Sequence, residues 1–232
     1  IGGYLVLVAA GVAEWRLVGG GRRTRAGLIQ AGALFLGGLF LAIGVSMNIQ
    51  PLQGIATLLQ VIGIVIVVVR FGGRVLGAPW GEASGTRHIA IAVPFLVLGL
   101  VLEIVFLAKI IQAHGDFTLV PLGLVHALDH SMFVGLMTNI LFGMILTATA
   151  AAGAARIWPW ADQLIFWGLN IGAASFIAVL LFIGSGYGSG PFQHPVAYTA
   201  SLMGLSALLG IVTLQRRLGA ARRASNLSAG SA

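Results

Sequence analysis

Long apolar runs separated by short polar connections set the pattern of this chain. A membrane-spanning helix needs about 20 predominantly apolar residues to cross roughly 30 Å of hydrocarbon. Seven runs follow that pattern, at about residues 1–15, 26–46, 53–69, 88–111, 120–148, 162–184 and 195–214. They predict an all-α, polytopic transmembrane helix bundle over residues 1–214, with a basic tail over 215–232. The first run is short for a span and the sequence opens at Ile1, so the expectation is an N-terminal piece processed away or missing. No soluble domain, long linker or strict short repeat interrupts the runs. The ending ASNLSAGSA is small and polar, a composition that favours disorder.

The polar connections then set an orientation. Arg16, Arg22, Arg23 and Arg25 lie between the first two runs, and Arg70, Arg74 and Arg87 between the third and fourth. Arg156 follows the fifth run, and Arg216, Arg217, Arg222 and Arg223 follow the seventh. The alternate connections SMNIQPLQG, QAHGDFTLVPLG and GSGYGSGPFQHP hold no Lys or Arg. Basic residues stay on the cytoplasmic side, so the N-terminus is expected outside and the C-terminus in the cytoplasm. Trp15, Trp80, Trp158 and Trp160 fall near run ends, where indoles anchor at the headgroup level.

Composition agrees with this and narrows the function classes. The chain is 58% hydrophobic and only 8% charged, with a mean hydropathy of +1.00. Its net charge of +7 comes from arginines in short clusters, the signature of topology and not of nucleic-acid binding. The expected setting is a lipid bilayer, of the bacterial or archaeal cytoplasmic membrane, with other membrane subunits as candidate partners and no nucleic acid. Cysteine is absent, which removes thiolate metal sites, disulfides, iron–sulfur clusters and covalent c-type haem.

Ionisable groups inside a span are costly unless paired, so each is a candidate for function. The fifth run contains His126, Asp129 and His130. At about 1.5 Å per residue, His126 lies roughly 9 Å below the outer boundary, and Asp129 and His130 about 14 to 15 Å. Glu103 on the fourth run lies about 12 Å deep, with Lys109 near the outer surface. A shared polar cluster of Glu103, Lys109 and Asp129 beside the histidines is therefore expected. His126 and His130 stack on one helix face, and Asp129 falls within an arc of roughly 100° with them, able to accept a hydrogen bond from His126. The i, i+4 histidine spacing also suits two ligands to one ion, with Glu103 as the third, so His126, His130 and Glu103 are the candidate metal ligands for copper or another metal ion. The bland alternative is that these groups satisfy one another and pin helices together. HALDH also fits the letters of the inverted zinc-protease pattern HxxEH with Asp for Glu, but the shorter carboxylate and the dry helix argue against hydrolysis. His88 and His114, at run ends, are expected to reach water, Glu14 to be interfacial beside Arg16, and His194 to open on the side of the cluster.

The stretch HSMFVGLMTNILFG, with His130, Gly135 and Gly143, resembles the histidine helix of the haem-copper oxidase subunit I-like and NnrS-type membrane proteins. FWGLNIG, Phe166 to Gly172, is similar to a signature that follows in short members, so the resemblance covers residues 130–172. It implies an axial-ligand role for His130 to a haem b held between helices, with the glycines giving the porphyrin room. His126 shares a helix face with His130 and cannot take the opposite side. The second ligand would be His194 or Met203, the latter roughly 12 Å deep on the last run, and Lys109 alone could meet a propionate. Oxygen reduction is excluded, because five scattered histidines offer no counterpart to the oxidase copper site with its tyrosine.

Three functions follow as expectations. The first is a haem- or metal-binding membrane protein of electron transport, the second an accessory or scaffold subunit of a larger complex, and the third a proton or solute transporter.

Overall fold

The computed structural model of the chain describes residues 2–18, 24–152, 158–182 and 193–229. Among them seven helices follow one another: α1 (Gly2–Leu17), α2 (Arg25–Ser46), α3 (Gln50–Leu76), α4 (Gly85–Gln112), α5 (Leu122–Ala151), α6 (Pro159–Phe182) and α7 (Gln193–Ala229). Six of these, α2 to α7, are long and apolar enough to cross a membrane, whereas α1 has 16 residues.

Helix ends depart from the expected runs in an informative way. α3 continues past residue 69 to Leu76, so Arg70 and Arg74 project from helix and not from a loop. α7 runs on to Ala229, so the expected disordered tail is helical over its described part. Arginine, alanine and leucine are good helix formers, and nothing in LQRRLGAARRA other than one glycine opposes continuation. α2 starts where the Thr24 side chain accepts the Gly27 N–H at 3.0 Å. α4 ends where His114 and Gly115 take left-handed backbone, with φ of 52° and 88°. His114 thus serves the turn.

α4 sits at the centre, against α1, α3 and α5, with α6 packed on α5 and α7 on α6. Buried residues make up 50% of the apolar windows of α4 and α5 and 56% of α6, but 28% in α2 and α3 and 17% in α7. The first three therefore form the core, and the others turn most of their apolar surface outward.

Small residues let the central helices approach closely. A Cβ on Gly143 of α5 would stand 2.6 Å from Ile89 and 2.8 Å from the Gly85 carbonyl oxygen, both on α4. A Cβ on Gly172 of α6 would stand 2.7 Å from the backbone nitrogen of Met203 on α7. Such contacts supply van der Waals packing where lipid removes the hydrophobic drive between helices.

α5 is not uniform. Its His130–Thr138 segment is π-helical, with hydrogen bonds spaced five residues apart. Turns of this kind are rare and concentrate at functional positions.

Candidate functional site

The two carboxylates expected to share a depth do share a space. Glu103 of α4 and Asp129 of α5 line one cavity of about 280 Å³, closed on another side by Leu41 and Val45 of α2. Phe117, in the turn between α4 and α5, also lines it, so the cavity reaches the end of the bundle whose connections lack arginine. Gln60 of α3 donates its Nε2 hydrogen to Glu103 Oε1 at 3.2 Å. Among the described residues neither carboxylate has an ion pair. Lys109 does not join them: its ammonium is exposed and bonds Gln112 on its own helix at 3.2 Å.

The histidines turn elsewhere. His130 Nδ1 donates to the His126 carbonyl oxygen at 2.8 Å, and its ring packs on Phe176 of α6, with centroids 4.5 Å apart. Neighbouring residues of a helix diverge by about 100°, so His130 meets α6 while Asp129 borders the cavity beside α4. Of the expected one-sided cluster, Asp129 and His130 are thus divided between two faces. Among the described residues no three of His, Asp and Glu converge to hold a metal ion. The expected set of His126, His130 and Glu103 is therefore not assembled, because Glu103 is turned to α3 and His130 to α6.

A haem placed as the resemblance implies meets a similar obstacle. His130 itself suits a ligand, since a backbone carbonyl holds its Nδ1 proton and leaves the Nε2 lone pair. The glycines do not suit a porphyrin: the space beside Gly135 is filled by the Phe95 ring, and that beside Gly143 by Ile89 and Gly85. They serve helix contact on the α4 side, while the imidazole faces α6. Met203 packs its backbone on Gly172 and belongs to the apolar core between α6 and its neighbours. The side chain of His194 lies outside the described residues.

A second polar assembly, apart from this cavity, escaped the sequence reading. Asn139 of α5 donates to the Gly135 carbonyl at 2.8 Å and to Asn170 Oδ1 of α6 at 2.7 Å. Both amide hydrogens are then used, so its Oδ1 must accept, and His88 Nδ1, 2.9 Å away, must donate. This places a proton on His88 Nδ1, in a ring only 1% exposed and set edge-on to Phe166. His88 is deep in the core, not at the water surface expected for it.

Beside it the arginines have structural partners. Arg87 donates to the Asp162 carbonyl and to Gln163 Oε1, both at 2.7 Å, and lies over the Phe166 ring. Arg217 of α7 pairs with the Asp162 carboxylate, each side chain 5% exposed or less. Arg70 binds Glu14 of α1, Gln30 of α2 and the capping Thr24 before it, and Arg74 reaches the Leu17 carbonyl. Glu14 therefore answers α3 instead of its neighbour Arg16. Intramembrane asparagines at 139 and 170 were the available signal for this assembly, and Asp162 was hidden by its place at a run boundary.

No family model, curated protein or solved structure matches the chain.

Proposed function

We propose that the protein is an integral membrane carrier for a small solute, with the Glu103–Asp129 cavity as its loading site. The observation that carries this reading is a pair of carboxylates from two neighbouring helices, neither in an ion pair among the described residues, on one apolar cavity at membrane depth. Ionisable groups in a span usually face a solute path or a water-filled cavity, because lipid would not tolerate them. The π-helical turns that begin one residue after Asp129 support it, since they set a less regular hydrogen-bond ladder next to the site.

In this reading the arginine-bearing end is cytoplasmic and the cavity opens outward, following the bias of basic residues. Substrate enters beside Phe117, and the Arg87–Asp162–Arg217 assembly holds α4, α6 and α7 together at the inner end.

The absence of cysteine makes the test direct. Leu128→Cys places a thiol on the cavity lining, and Val69→Cys, at a residue 77% exposed on the apolar surface of α3, is the control. In reconstituted vesicles a membrane-impermeant maleimide should label position 128 from the face opposite the arginines and leave position 69 unlabelled. No labelling at 128 would sink the reading.

A further inference from the structure

We infer that the cavity selects a small organic cation, an ammonium group carried on an apolar body. This rests on the carrier reading and specifies its substrate class. Nine of the eleven described residues lining the cavity are apolar, and the two that are not, Glu103 and Asp129, are both carboxylates. Among the described residues no histidine, lysine or arginine lines it.

Two observations lead from that lining to a ligand. The first is unmet electrostatics. Glu103 uses one oxygen to accept from Gln60, and its other oxygen has no partner among the described residues. Asp129 has neither a hydrogen bond nor an ion pair among them. At the depth of a membrane span such carboxylates favour a positive ligand.

The second is the wall. Phe106, Phe117 and Phe133 come from α4, from the turn after it and from α5, so rings reach the cavity from three segments. Aromatic faces attract cations and serve as the walls of ammonium sites.

The same lining disfavours a bare metal ion. Calcium takes six to eight oxygen ligands and magnesium six, whereas the described residues lining this cavity offer two carboxylates and no side-chain hydroxyl or amide. An organic cation brings its own apolar surface and asks only for charge neutralisation at one end. A cavity of about 280 Å³ is sized for a compact molecule, a single ring with a short amine chain, and not for a lipid. Gln60 is 3% exposed and holds the Glu103 carboxylate from behind, which makes it a positioning residue.

The test is calorimetric binding to the purified full chain in detergent, with 2-phenylethylammonium as probe, and its neutral and anionic counterparts 2-phenylethanol and phenylacetate. Saturable binding of the ammonium is expected, with the alcohol weaker by about tenfold or more and no binding of the anion, since a charge-assisted hydrogen bond is of that order. Asp129→Asn and Glu103→Gln should each weaken the ammonium by a similar factor, while Val69→Ala leaves it unchanged. Equal binding of alcohol and ammonium overturns the inference, and this comparison needs only wild-type protein, so it stands if a variant fails to fold. Wild-type affinity in both carboxylate variants overturns it as well, as does a partner chain that crosslinks from position 129 in native membranes. Maleimide labelling at position 128 without ammonium binding would remove the substrate class and leave the carrier reading intact; absence of both removes both.

Discussion

Asp129 and His130 are adjacent in the chain and belong to different surroundings, and this division governs what single substitutions should do. Asp129 borders the cavity, whereas His130 has its Nδ1 proton committed to a carbonyl and its ring on Phe176. Because the spaces beside Gly135 and Gly143 are filled by α4, the purified protein should show no Soret band in its oxidised or reduced spectrum. A Soret band abolished by His130→Ala would overturn that expectation and seat the porphyrin on the α6 side, which the imidazole faces. A second residue-scale expectation concerns Asp162. Removing one partner of a buried ion pair leaves the other charge uncompensated and typically costs about 3–5 kcal/mol. Asp162→Ala should therefore lower the thermal midpoint sharply, by stranding Arg217, while Arg217→Leu combined with Asp162→Leu should recover much of the loss. Scanning the unfolding of all three proteins in one detergent measures this.

At the scale of the helix, the glycines separate into those that touch a neighbour and those that do not. Gly143 stands against Gly85 and Ile89, so Gly143→Leu should push α4 from α5 and reduce the folded yield in the membrane. Gly32 on α2 has nothing within 4 Å of its Cβ position, and Gly32→Ala should be neutral or stabilise slightly, since alanine is favoured over glycine by about 1 kcal/mol within a helix. The two positions differ in whether their helix face meets a neighbour, and expression-normalised melting curves compare the variants. In the connection before α5, Asp116 accepts from the Thr118 hydroxyl and N–H, which hold its carboxyl below the ordinary carboxylate range. A lowered value in the folded state means that this turn is supported at neutral pH and loses that support as pH falls through the Asp116 value. The protection factor of the Thr118 amide, its exchange corrected for the intrinsic pH dependence, should fall on acidification, and Asp116→Asn should weaken that dependence.

For the whole molecule, the arginine bias predicts that a reporter fused after residue 232 is active only in its cytoplasmic form, and that adding arginines to SMNIQPLQG disturbs insertion. Much of the architecture was legible before any coordinates. Apolar runs longer than about 17 residues have few alternatives to a helix in lipid, because the backbone must satisfy itself within the segment. Periodicity and depth along single helices also put Glu103 and Asp129 at one level. Other features required neighbours. Whether Arg70 marks a loop or grips Glu14 depends on α1 lying beside α3, and whether Gly143 makes room for a ligand or for α4 depends on which helix occupies its face. The His88–Asn139–Asn170 chain joins residues 31 and 51 positions apart, a separation that no local pattern encodes. Sequence by itself thus determined the helices, their apolar surfaces and the charge bias across the bundle, since these follow from hydropathy and hydrogen-bond closure within each segment. Only the tertiary structure decided which polar residues meet, because the pairing of buried groups is set by the rotation and contact of helices distant in the chain.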